Sequence, residues 1–158
     1  MGLDCSHNAW HGAYSAFMRW RMKLAEVAGL PPLGLMEGFY TPMDSEHMPA
    51  TLYHGVNTGK PAYGPDSRPY MADLDDCLPI RWDCLKPSAL HELLYHSDCE
   101  GEISADHCAP IADALEPLIS LLPDEDAGGH IGNWREKTAQ FVAGLRAAAA
   151  ANEPLDFH

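Results

Sequence analysis

The sequence is short of positive charge: 10 Lys and Arg face 23 Asp and Glu along 158 residues, a formal net charge of −13. Nucleic-acid binding takes its affinity from cations that neutralise phosphates, so this deficit argues against a DNA or RNA partner. Long apolar runs are also missing, and none approaches the roughly 20 residues a membrane-spanning helix needs. The opening Met1-Gly2-Leu3-Asp4-Cys5-Ser6-His7 has neither the basic start nor the apolar core of a secretory signal. Gly2 and Ser6 meet the myristoylation pattern, but one acyl chain without a polybasic stretch beside it anchors weakly. No membrane partner is expected, and a cytoplasmic location is. Signature loops are absent as well. There is no Gly-x-x-x-x-Gly-Lys-Ser/Thr, no Gly-x-Gly-x-x-Gly and no Gly-x-Ser-x-Gly, which leaves phosphate-loop, dinucleotide and hydrolase-elbow chemistry without a sequence basis. An even set of cysteines is lacking too. Cys5, Cys77, Cys84, Cys99 and Cys108 make an odd number, better read as thiols than as a disulfide framework.

What is present reads as a mainly α, compact single domain over residues 1–158, with four to five helices and minor short strands. Ala13, Phe17, Trp20, Leu24 and Val27 recur at helical spacing and predict a helix from Ala13 to Ala28, stopped by Gly29 and Pro31-Pro32. Residues 30–76 form an irregular, loop-rich segment. Within it, Leu35 to Tyr40 and Thr51 to Tyr53 are candidate strands and Thr58 to Pro69 a loop. Alternation through Leu78, Ile80, Trp82 and Cys84 predicts an edge strand, given Pro79. Further helices are expected over Ser88 to Tyr95, over Ala105 to Leu122, and from about Gly132 to Ala151. The second of these should be kinked or segmented at Pro110 and Pro117; the third should open on Asn133 and Glu136 at capping-box spacing.

Chemistry gathers first in the loop from His96 to His107. With Gly101 at position six of an EF-hand loop, Asp98 falls at three, Glu100 at five, Glu102 at seven, Ile103 at eight and Ser104 at nine. The stretch from Ala89 to about Leu118 therefore resembles an EF-hand. His96 and His107 replace the carboxylates at positions one and twelve, which disfavours calcium. A softer ion such as zinc, or another divalent metal, would instead draw on His96, Asp98, Cys99, Glu100, His107 and Cys108, with His91 nearby. The plainer reading is a helix-loop-helix in which Asp98 caps backbone amides and Ile103 plugs the core.

A second candidate metal cluster is Asp4, Cys5, His7 and His11. His7 and His11 would share a helix face if the first helix began early. Arg19, Arg21 and Lys23 form the densest basic cluster, most simply a solvated helix face. The run Gly128-Gly129-His130-Ile131-Gly132-Asn133-Trp134 could hold an anion at a helix start, with His130, Trp134 and Arg135 alongside.

Four segments carry a family resemblance: Gly2 to His7, Leu94 to Gly101, Gly129 to Gly132, and Pro154-Leu155-Asp156-Phe157-His158. The chain resembles an uncharacterised family of small bacteriophage-type proteins. The resemblance implies a virus-associated protein of the host cytoplasm and transfers no catalytic residues. The resulting expectation is a non-enzymatic accessory protein that binds a host protein or small ligand, with a divalent metal as candidate cofactor. Two alternatives stand beside it. One sequesters a nucleotide-type immune signal, gripping phosphate with Arg19, Arg21, Lys23 or Arg135. The other is a small metal-dependent hydrolase built on the N-terminal cluster, or on that cluster together with the His96 loop.

Overall fold

A computed structural model describes residues 2–39 and 79–158. The expected strand over Thr51 to Tyr53 and the loop over Thr58 to Pro69 lie outside the described residues. The chain divides into two compact units, one drawn from Met1–Leu24 and Ser88–His158, the other from Ala25–Pro87.

The architecture is mainly α. Among the described residues there are four α-helices: α1 (Tyr14–Val27), α2 (Leu90–Tyr95), α3 (Ala105–Ile119) and α4 (Trp134–Ala151). Phe17, Trp20 and Leu24 of the predicted α1 seam are fully buried in the first unit. Each contributes roughly 1.5–3 kcal/mol by leaving water. Phe17 and Trp20 join Trp10, Phe141 and Phe157 in an aromatic cluster at the centre of that unit. Thr138 ties it further by accepting a 2.9 Å hydrogen bond from Trp20 Nε1.

Helix α3 is continuous, which corrects the expected segmentation at Pro110 and Pro117. Each proline removes one backbone donor, at a cost of about 3 kcal/mol. Cys108, Ile111, Ala112, Leu115 and Leu118 bury one whole face of the helix, and packing against α4 outweighs the lost bonds. Helix α4 is capped at both ends. Asn133 Oδ1 accepts from the Arg135 and Glu136 amides at 2.9 and 3.2 Å. At the other end Asn152 takes the left-handed conformation (φ 54°), while Asn152 N and Glu153 N donate back to Ala149 O and Ala148 O. This is a Schellman closure with Asn in the place usually held by glycine.

Four short strands complete the unit: β1 (Leu3–Asp4), β2 (His11–Gly12), β3 (Gly101–Ile103) and β4 (Leu155–Phe157). β1 and β2 form a hairpin with Leu3 opposite Gly12 and Asp4 opposite His11, extended by the Cys5 amide donating to Trp10 O. His7 (φ 54°) and Asn8 (φ 55°) are both left-handed and Ala9 N donates to Ser6 O, the pattern of a two-residue type I′ turn. β3 pairs antiparallel with β4, and a bridge from Cys5 to Phe157 joins β4 to the hairpin. The strands therefore follow the order β2, β1, β4, β3. Leu3, Cys5, Trp10, Ile103, Leu155 and Phe157 face the helices.

In the second unit α1 closes on a Schellman motif, with Gly29 (φ 71°) donating to Glu26 O and Leu30 donating to Ala25 O. Of the strands expected over Leu35 to Tyr40 and Leu78 to Cys84, the described residues 35–39 and 79–84 instead carry 3₁₀ turns at Leu33–Leu35 and Trp82–Cys84. A single parallel bridge between Met36 and Ile80 is what remains of strand pairing there among the described residues. Pro31-Pro32 before the first turn removes two ladder donors, and the Trp82 indole donates to Glu37 O instead of lying on a sheet face.

Candidate functional site

The loop that follows α2 is organised around a cation of the chain itself. Arg21 projects from α1 with its side chain fully buried and forms an ion pair with Asp98. Its Nη1 also donates to Leu94 O at 3.0 Å and His96 O at 2.5 Å, the carbonyls left open where α2 ends. Burial lowers the Arg21 pKa, and the Asp98 carboxylate opposes that shift; a guanidinium remains charged in either case. This corrects the reading of Arg21 as part of a solvated face. The clue was in the sequence, since Arg21 sits four residues after Phe17 and three before Leu24, inside the apolar stripe.

The other candidate ligands of this loop point in different directions. The His96 ring stacks on Phe157 with centroids 4.0 Å apart, and its Nδ1 lies 2.9 Å from Ser97 O. His107 pairs with Glu92 at 2.7 Å, and that carboxylate raises the imidazole pKa. Cys99 and Glu100 are exposed, whereas Cys108 is buried with its thiol 3.3 Å from Ser104 O. His91 is buried, which lowers its pKa. Ile103 plugs the core, as its loop position predicts, and β3 passes from Gly101 to Ile103 alongside β4.

The N-terminal cluster is also rearranged relative to expectation. His7 and His11 do not share a helix face, because α1 starts at Tyr14 and the preceding residues form the hairpin. His7 sits in the turn and pairs with Glu153 at 3.2 Å. His11 pairs with Asp4 across the two strands. Cys5 points inward, where burial first and the Asp4 charge second push its thiol pKa up to about 12. The hairpin lies along one side of α4. Lys137 Nζ donates to His11 O at 3.0 Å and Gln140 Nε2 to Asn8 O at 2.8 Å. A Cβ placed on Gly144 would come within 2.4 Å of Ala9 Cβ. As the side chains stand, no three His, Cys, Asp or Glu of the described residues are grouped so as to hold a metal ion.

The arginines offered as ligand contacts are engaged with backbone. Arg19 donates to Ala127 O at 2.9 Å, and Arg135 donates to Leu122 O at 2.8 Å and Ser120 O at 3.3 Å, closing the end of α3. Lys23 is half-buried, Trp134 is buried at the start of α4, and His130 is exposed. The Gly128 amide is taken by Asp126 Oδ1 at 2.6 Å, so the glycine run already carries a carboxylate from its own loop. Among the described residues, no helix is long and apolar enough to cross a membrane. No known protein family, curated protein or solved structure matches the chain.

Proposed function

We propose that this chain is a non-enzymatic accessory protein of bacteriophage type that engages a host protein through its acidic surface. One observation carries this reading: three of the four cationic side chains that could grip a phosphate are engaged with backbone carbonyls, while many carboxylates remain outside. Arg19, Arg21 and Arg135 each donate to main-chain oxygen. Asp106, Asp113, Glu116, Asp124, Glu125 and Asp126 are all exposed. With a net charge of −13 they generate a field that steers a basic partner and repels phosphates. The turn at Asp124 to Asp126 is held in shape, because Asn133 Nδ2 donates to Asp124 Oδ1 at 2.9 Å. A preformed charged loop loses little freedom on binding.

The test is capture of a host protein, followed by reconstitution from purified components. Association should slow with added salt, and should slow further when Asp124, Glu125 and Asp126 are together changed to Asn, Gln and Asn. A reconstituted complex whose association ignores both salt and these substitutions would contradict the role given to the acidic surface. Turnover of a phosphoester or peptide substrate by the purified chain would contradict the non-enzymatic part.

A further inference from the structure

The strand register brings a residue from the far end of the sequence into the N-terminal cluster. Asp4 N donates to His158 O at 2.8 Å and His158 N donates to Asp4 O at 3.0 Å, so the two residues sit directly opposite each other. Asp4 is also opposite His11 across the hairpin. Opposed residues of an antiparallel pair project to the same side of a sheet. Their chain neighbours Leu3, Cys5, Trp10 and Phe157 are buried on the other side. His11, Asp4 and His158 therefore form a row on the outward face, with the carboxylate between two imidazoles. Asp156 and Glu102, opposite each other and both exposed, form the adjacent row.

We infer that this row is a surface site for a divalent transition-metal ion of the zinc class, with Asp4, His11 and His158 as its protein ligands. Two imidazoles and one carboxylate are the donor set of open zinc sites, which keep further positions for exchangeable ligands. Calcium and magnesium are selected against, since both want oxygen donors in larger number. Asp156 and Glu102 add negative charge beside the row and favour a dication there. His11 and His158 stand one strand to either side of Asp4, about 9.5 Å apart at two interstrand spacings. Metal binding requires the two exposed rings to turn over the carboxylate between them, a change of side-chain rotamer. His11 is already turned onto Asp4. A metal takes that place only with neutral imidazoles, since the ring nitrogen must offer its lone pair. Cys5 and His7 are not part of this site, since one faces the core and the other faces Glu153.

This inference is independent of the host-protein reading, whose test involves neither histidine. It is tested by calorimetric titration of the untagged chain with zinc chloride, alongside His11→Ala, His158→Ala, Asp4→Asn and the remote control His107→Ala. The wild type should bind one ion per chain. Each of the three row variants should lose more than the roughly 10- to 100-fold that an outer-shell partner costs, and His107→Ala should bind as the wild type does. Both histidine side chains are exposed, so far-UV circular dichroism and the unfolding midpoint of the metal-free variants should match the wild type. Zinc should also shift the ring-proton resonances of His11 and His158 ahead of the other histidines. One-to-one binding that survives both alanine variants, weak uptake spread over many histidines, or no binding at all would each overturn the assignment.

Discussion

The His96 loop and the N-terminal hairpin carry much the same stock of residues, histidine beside cysteine beside carboxylate, yet the fold uses them in opposite ways. In the loop the acceptors turn inward. Asp98 and the carbonyls at the end of α2 surround the buried Arg21 guanidinium, which stands as the loop's cation. In the hairpin, strand alternation sends Cys5 inward and leaves Asp4 and His11 on the exposed face. Ligand-type residues become available or structural according to the direction their backbone gives them. Composition alone carries no such direction.

The largest effect that would break this contrast lies at Arg21. Arg21→Met removes the partner of Asp98 and the donor to three backbone carbonyls. Urea unfolding should show a loss of about 3–5 kcal/mol, the usual result of removing one member of a buried pair. Next comes the seat of the hairpin. Gly144→Ala gains about 1 kcal/mol of helix propensity, but its Cβ would press on Ala9, and overpacking of this kind costs about 1–3 kcal/mol. The clash involves backbone-anchored atoms that cannot swing aside, so a net lowering of the unfolding midpoint is expected. Asn133→Ala should cost about 1 kcal/mol through loss of the α4 cap, measured in the same way.

Two smaller effects sharpen the comparison. In native protein Cys99, exposed in the loop, should react readily with iodoacetamide. Cys5, held as a thiol with its pKa pushed up to about 12, should stay unmodified when peptide masses are compared. Glu92 raises the His107 pKa, so that pair contributes stability fully below about pH 6.5, and the contribution fades as pH rises through the raised folded value. His107→Gln should therefore lower the thermal midpoint at pH 5.5 and leave it unchanged at pH 8.5. Burial gives His91 the opposite sign: its contribution is full above about pH 6.5 and is lost as pH falls through the lowered folded value.

Much of the helical frame was legible because apolar periodicity and caps are local signals. The α1 seam, the Asn133 cap and the stop at Gly29 all follow from neighbours within a few residues. The hairpin was not legible, since its type I′ turn uses His7-Asn8 where Asn-Gly is the usual signal. Its strands are two residues each, too short to show alternation. The extended readings near Leu35 and Ile80 failed because apolar alternation cannot distinguish a strand from 3₁₀ turns that bury or half-bury alternate residues. Non-local placement was hidden altogether. Arg21 could be seen on an apolar face but not matched with Asp98, and His158 could not be placed beside Asp4 without the β4 register.

Arg21 holds the His96 loop through Asp98 and the carbonyls that end α2. The most direct test is urea unfolding of the His11→Ala, His158→Ala double variant, which lacks the surface row, purified without chelator, before and after treatment with EDTA, with Arg21→Met added to the same background in parallel. The structure predicts superimposable curves for the double variant and a midpoint clearly lowered by Arg21→Met. A double-variant midpoint that drops in EDTA, with Arg21→Met causing no loss, would contradict this and return the loop to the status of a metal site.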